Sequence, residues 1–413
     1  MKLILHSLNY SPELTGIGKY NGEMCPELVT RGLGVTAIAA PPYYPEWQVH
    51  HGFNAFSYQK KIIEGVCVVR CPLYVPNNVS TLKRIVHLVS FAVSSAFALT
   101  IRIFSKPDVI MLVQPTLFCA PFTLLYAKLT GAKTVMHIQD YEVDALLGLG
   151  MMGDGVVAKL VKSCERFLMN RFDAISTISY SMIENAKSKG VDAARIIHFP
   201  NWSDIDFVTP ETNGDALKAE WGFTTDDKII LYAGNIGNKQ GLEIVLQAAK
   251  FFASQETLKF VLVGSGAYVD SLKSQASSMQ LANVFFKPLQ PWARVPEMLA
   301  LADVHLVVQK KGAADAVLPS KLTNILSAGG HAIVTAEPHT ELGQIAAKYP
   351  GIYDCVEPEN ADAFIDGLTT LLSKNLTQPN SVARGFAEKF LGKKQIIDQF
   401  VSDLTALVQS KIH

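Results

Sequence analysis

The chain has 413 residues, and Lys plus Arg equals Asp plus Glu at 37 each, so no net field draws it to nucleic acid. That length holds two domains of about 200 residues, each able to bury a core. Six cysteines without a C-x-x-C spacing argue against a disulfide framework or a zinc ribbon, and point to a reducing, cytoplasmic compartment.

MKLILHSLNY opens the chain with an apolar run too short for a signal peptide, and reads as a first strand over 3–8. His6 ends that buried strand and reads as structural. The stretch YSPELTGIGKY reads as a flexible, glycine-hinged lid ahead of a helix over about 20–31. Apolar runs at 34–40, 66–75, 107–114, 133–138 and 174–178 continue an alternation of parallel strands and helices, the pattern of a doubly wound sheet. Cys67 and Cys71 fall in the third run as small core residues. No dinucleotide fingerprint is present: Gly16 and Gly18 come well after the first strand has ended, and no acidic residue closes the second.

Residues 82–104, LKRIVHLVSFAVSSAFALTIRIF, are apolar and bracketed by Lys83, Arg84 and Arg102. A core helix of the first domain is the leading reading, and an interfacial helix lying on a membrane the next. A spanning helix is disfavoured because the stretch is short and carries serines and a histidine along one side.

The IIHFPNW segment and the polar residues up to Lys218 read as an interdomain hinge. They divide the chain into a first domain over 1–200 and a second over 201–384, with late helices over about 385–413 placed to pack back on the first. Asp204 and Asp206 form a D-x-D, but in a polar linker turn chemistry is the better reading, and no metal site is expected. Strands at 229–233, 259–263, 284–286, 304–308, 332–335 and 352–355 make a second doubly wound sheet.

Three strand ends of the second domain carry chemistry. In IILYAGNIGNKQGLE a buried strand ends at Gly234, passes Gly237, and opens a helix after Gly241, with Lys239 at the same edge. Such a turn offers backbone N–H groups and a positive dipole end to an anion. In VLVGSGAY, Gly264 and Gly266 would let a planar ring or ribose approach the backbone. In LPSKLTNILSAGG, Ser320 reads as an N-cap, and Lys321 puts a cation in the first turn, against the dipole. A bound anion removes that conflict, so a diphosphate is the implied ligand.

With SPELTGIGKY, FPNWSD, AGNIGNKQGLE, VGSG and LPSKLTNILSAGG in place, essentially the whole chain resembles a retaining glycosyltransferase of family four with the GT-B architecture. That resemblance implies two Rossmann-like α/β domains facing a central cleft. Within the family the chain is most similar to bacterial exopolysaccharide transferases, the fucosyltransferases of colanic acid assembly. The family's usual Arg and Lys in the first turn are replaced by Asn235 and Gln240, and its glutamate pair by Val317 and Asn324.

As partners the resemblance implies a nucleotide-sugar donor, GDP-fucose by analogy, and a lipid-linked saccharide acceptor at the inner face of the cytoplasmic membrane. No cofactor and no nucleic acid are expected. Donor contacts fall on Gly16, Gly18, Gly234, Asn235, Gly237, Lys239, Gly264, Gly266, Ser320, Lys321 and Asn324. Lys239 and Lys321 meet the leaving diphosphate, and His137 and Asp140 of HIQDYEVD orient the acceptor hydroxyl or the sugar. Two other readings stay open: a nucleotide-sugar epimerase or hydrolase using Asp140 with Glu142 or Asp144, and a non-catalytic nucleotide-binding assembly protein.

Overall fold

Apolar runs with no polar face are stable only as strands covered on both sides, and the computed structural model arranges them in that way. The structure describes residues 1–13, 16–44, 46–78, 80–141, 143, 155–311 and 319–410. The chain divides into two units, Met1–Phe199 with Ile397–His413, and Pro200–Ile396.

The first unit holds strands β1 (Lys2–His6), β2 (Gly34–Ala39), β3 (Gln59–Ile63), β4 (Val66–Arg70), β5 (Val109–Gln114), β6 (Lys133–Ile138), β7 (Ala174–Thr177) and β8 (Ile196–His198). They form one sheet in the order β3-β4-β2-β1-β5-β6-β7-β8. All neighbours are parallel except β3, which pairs antiparallel with β4 through a hairpin at Glu64 and Gly65, both at positive φ. All of β5 is buried, whereas β3 is largely exposed. His6 is fully buried, and its ring nitrogens contact Thr123 Oγ1 and Ser95 Oγ at 2.9 and 2.8 Å.

The loop after β1 is not a free lid. Its helix begins at Gly16 and runs Gly16–Thr30, several residues earlier than expected. Glu13, 3% exposed, pins the turn before it. Its Oε1 accepts from the amides of Tyr43 and Tyr44 at 3.1 and 3.2 Å, and its Oε2 from Asn9 Nδ2 at 2.9 Å. Burial pushes this carboxyl above the usual range. The buried guanidinium of Arg70 donates to the carbonyls of Ala40 and Ser11 and ties the loop to the sheet.

The helix Thr81–Ile101 starts at Ser80, whose hydroxyl accepts from the Lys83 amide at 3.4 Å. One face is core, with His87, Leu88, Phe91, Ala92 and Ser95 buried. On its other side Leu82, Val86, Val89, Val93, Phe97 and Ile101 are exposed, at helical spacing. The neighbouring helix Ala120–Thr130 exposes Phe122, Leu125 and Leu129 in the same manner.

The C-terminal segment joins the first unit from Ile397, later than the expected 385. There the Phe400 ring stacks on Phe199 with centroids 3.9 Å apart, and Arg31 pairs with Asp398 at 2.6 Å. The helix Ser381–Phe390 instead belongs to the second unit, because Ala383, Ala387 and Leu391 are buried in that unit's core.

The second unit contains β9 (Lys228–Ala233), β10 (Leu258–Val263), β11 (Val284–Lys287), β12 (Val304–Val307), β13 (Ala332–Thr335) and β14 (Asp354–Val356). The order is β11-β10-β9-β12-β13-β14, all parallel. Alternate residues enter opposite cores. Ile230, Tyr232, Phe260 and Leu262 pack on one face against the helices Glu243–Phe251 and Ala361–Leu372. Ile229, Leu231, Val261 and Val263 pack on the other. The chain reverses its winding between β9 and β12, and the carboxyl ends of those strands form the switch point at which ligands of doubly wound sheets bind.

Two turns at this edge are interlocked through their backbones. Gly264 has φ +155, and a Cβ there would stand 1.9 Å from the Gly234 carbonyl oxygen; one on Gly266 would stand 2.2 Å from that of Ile236. The close approach expected of a ring or ribose at these glycines is thus made by the neighbouring turn. Overpacking plus a strained backbone makes Gly264→Ala costly, by about 2–5 kcal/mol. Calorimetry should show a melting transition at clearly lower temperature, and an unchanged thermogram would refute the interlock.

Candidate active site

Lys321 is the second residue of the helix Ser320–Ser327, and its side chain reaches the turn that follows β9. Its Nζ donates to the Tyr232 hydroxyl at 2.9 Å and lies 4.1 Å from that ring's centroid. The hydroxyl in turn donates to the Asn235 carbonyl at 2.6 Å. Gly234 adopts φ +147, which favours glycine, and a Cβ there would stand in ordinary contact with Nζ at 3.4 Å. Burial pushes the Lys321 ammonium down to about 8, and no ion pair to it forms among the described residues. A largely buried cation with no counter-charge among the described residues, at a switch point, is chemically suited to an anion.

Lys239 stands exposed in the 3-10 turn Asn238–Gln240. Lys310, which sequence reasoning passed over, joins it: its amide donates to the Lys239 carbonyl at 3.0 Å and its Nζ to Asn238 Oδ1 at 2.7 Å. Gln240 Oε1 accepts from the Gly237 amide at 3.0 Å, so this amide is satisfied within the turn. Ser320 is not the N-cap. That position falls to Pro319, whose extended backbone leads into the helix and whose carbonyl accepts the Leu322 and Thr323 amides. The Ser320 hydroxyl is left on an exposed residue at the helix start. Asn324 Oδ1 accepts from Ser203 Oγ at 2.9 Å and secures the polar segment after Trp202 to this helix. Asp204 Oδ1 accepts from the Phe207 amide at 3.2 Å, which is turn chemistry.

In the first unit, Gly16, Gly18 and Asp140 line one cavity of about 230 Å³, at the ends of β1 and β5 where that sheet also reverses. Gly18 is required by the protein itself, since a Cβ there would sit 2.5 Å from Glu13 Oε2. His137 does not reach this cavity. It is 2% exposed, with Nδ1 on Ser176 Oγ at 2.8 Å and Nε2 on Gln139 Nε2 at 2.9 Å. Burial lowers its pKa to about 3. Both nitrogens are engaged and the ring stays neutral, an arrangement of the structural kind rather than of a group facing substrate. Glu142, Asp144 and Val317 lie outside the described residues.

Tyr232 was missed because, as the penultimate residue of an apolar strand, it reads as core. Its hydroxyl is nevertheless the group that orients Lys321. The pH dependence of stability tests the state of that lysine. Below pH 8 folded and unfolded chains both carry the proton, so the desolvation cost is present in full. Between about 8 and the ordinary 10.5 the folded ammonium loses its proton first and the cost disappears. Lys321→Met should therefore raise the melting temperature of the ligand-free protein at pH 7, with the gap to wild type closing as pH climbs through that window. A variant that melts no higher at any pH would show Nζ to be well solvated.

Comparison with known proteins shows the family and the fold. Residues 15–202 match the model of the glycosyl transferase 4-like domain, and residues 214–386 that of the glycosyl transferases group 1. The chain is 51% identical over 410 residues, 98% of its own length and 100% of the relative's, to WcaI of Escherichia coli (strain K12), a glycosyl transferase named for colanic acid biosynthesis. Among solved structures it superposes on sucrose-phosphate synthase from Thermosynechococcus elongatus with a TM-score of 0.76 at 13% identity, covering 98% of both chains. On Anabaena HepE in complex with UDP the TM-score is 0.71 at 14% identity, covering 98% of this chain and 100% of that one. The fold is GT-B, and the chain belongs to the glycosyltransferases that join a glycosyl transferase 4-like domain to a group 1 domain.

Proposed function

We propose that this glycosyltransferase moves a sugar, with retention, from a nucleoside diphosphate to a lipid-linked saccharide in exopolysaccharide assembly, colanic acid by analogy with the Escherichia coli relative. The donor best supported by resemblance is GDP-fucose. HepE, of like fold, was crystallised with UDP, which supports a nucleotide-sugar donor. One observation carries the reading: a largely buried Lys321 ammonium, with no ion pair among the described residues, at the edge of the Gly234 turn.

The chemistry follows from charge. Cleavage of the C1–O bond sends its electron pair to the departing phosphate. Lys321, Lys239, Lys310 and the start of the helix Ser320–Ser327 are the groups to stabilise that charge. The acceptor oxygen bonds to C1 on the same face, and its proton passes to the departing phosphate oxygen. No protein nucleophile and no metal are needed in this route. Asp140 is the first-unit group proposed to orient the acceptor.

Incubation with labelled nucleotide sugars and lipid-linked acceptor should give transfer that survives EDTA, and Lys321→Ala should slow it by about 100-fold or more while the protein stays folded. Turnover without acceptor, near-normal rates in the variant, or magnesium-reversible loss with EDTA would each overturn part of this mechanism.

A lipid-linked acceptor requires contact with a bilayer. The exposed apolar stripe of the helix Thr81–Ile101, with Leu82 at 72% and Val93 at 60% exposure, is proposed to rest on the cytoplasmic membrane surface, with Lys83 and Arg102 toward anionic headgroups. Leu82→Glu with Val93→Glu should move the protein to the soluble fraction and slow transfer to membrane-embedded acceptor much more than to a short-chain soluble analogue. Unchanged fractionation would leave these residues an ordinary surface.

A further inference from the structure

The cavity of the first unit carries unused chemistry. His87 lines it from the buried side of the helix Thr81–Ile101 and is 1% exposed. Its Nδ1 lies 2.6 Å from the Tyr74 carbonyl, which can only accept, so Nδ1 holds the proton. Burial, with Arg84 nearby, lowers the pKa of this ring and keeps it neutral. Nε2 is therefore a bare acceptor, and it has no hydrogen-bond partner among the described residues. A buried acceptor left without a donor is costly, and such groups in native proteins mark a missing ligand or water.

Two aromatic rings complete that wall. Tyr43 and Trp47 lie 4.8 and 5.1 Å from the His87 ring and 5.5 Å from each other. Trp47 is held at φ +54, a conformation that bulky residues rarely adopt and that concentrates at functional sites. Arg84 lines the same cavity one helical turn before His87 and is half-buried. Its guanidinium makes no ion pair and no hydrogen bond among the described residues. Asp140 stands in the lining as a second acceptor.

Aromatic faces, two acceptor groups and a guanidinium with no ion pair among the described residues together fit a ligand with an apolar face, hydroxyl donors and one anion. An apolar ligand would leave Nε2 unsatisfied, and a bare anion would make no use of the rings or of Nε2. We propose that this cavity seats the acceptor as an anionic pyranose, with one hydroxyl donating to His87 Nε2 and a phosphate or carboxylate on Arg84. The assignment deepens the transferase reading above and rests on it.

The test uses the full chain without donor. Glucose 1-phosphate, glucuronate, methyl glucoside and inorganic phosphate are titrated by calorimetry and by tryptophan fluorescence, with Trp47→Phe to identify the reporter. One of the two charged sugars should bind about 10-fold or more tightly than the neutral sugar and than phosphate. Preference for the phosphate places the bound sugar next to a lipid diphosphate, and preference for the carboxylate makes it a uronic acid. Arg84→Gln should erase the advantage of the charged sugar. His87→Phe should weaken every sugar by about 5-fold or more and leave inorganic phosphate unaffected. If His87→Phe does not fold, His87→Gln, checked by its melting temperature, replaces it.

Equal binding of charged and neutral sugars, phosphate binding as tightly as sugar, or an Arg84→Gln profile like wild type would overturn the assignment. Thermal stabilisation by nucleoside diphosphates, measured in parallel, must persist in both variants. Its absence from wild type would count against the donor site, separately from the acceptor cavity.

Discussion

An ammonium largely shielded from water, with no ion pair among the described residues, is an unstable arrangement, and the second unit is built to hold one. Burial pushes the Lys321 ammonium down to about 8, and its one side-chain hydrogen-bond partner among the described residues is the Tyr232 hydroxyl, at the edge of the Gly234 turn. That turn is held by the interlock of two strand-end turns, which leaves no space for a side chain at Gly264 or Gly266. The interlock depends in turn on β9 and β10 being parallel neighbours in register, with Ala233 opposite Val263. Sheet order, turn and charge are thus one construction.

Departures from the family's usual residues have local physical explanations. Gln240 stands in place of a lysine and uses its side-chain oxygen to satisfy the Gly237 amide, which makes the turn self-supporting. Asn324 stands in place of a glutamate and is bound by Ser203. A carboxylate in that half-buried position would add a negative charge on the helix that carries Lys321 and would offset the cation. With a neutral amide there, and with Lys310 beside the turn, the edge retains its positive character.

Parallel strands were legible because burial on both faces leaves an unbroken apolar run, as in VIMLVQ and LKFVLV. β3 was not, since QKKII is mostly exposed and is held only by its hairpin to β4. The positions of the glycine turn and of Lys321 at strand and helix ends, and the boundary between the units, could be read from composition and spacing. What could not be read were partners distant in sequence. Glu13 looks like a solvent-facing loop acid until Tyr43 and Tyr44 bring their amides to it. His137 looks like a group at a strand end until Ser176 and Gln139 occupy both nitrogens. Ser320 looks like a cap because Ser favours that place, but the preceding proline already fixes the entry to the helix. His87 hides in an apolar helix, where sequence gives no sign that one of its nitrogens lacks a partner.

The helix Thr81–Ile101 has a geometric consequence. Arg84 and His87 line the cavity, while Leu82, Val89 and Val93 are exposed. An α-helix with its side chains is about 10 Å across. Any surface that covers the exposed stripe is therefore held about that far from the cavity wall, by a rigid spacer of fixed thickness. On the proposed reading the helix is a ruler, suited to an acceptor whose charged ring projects by that height and indifferent to the length of the tail beneath it.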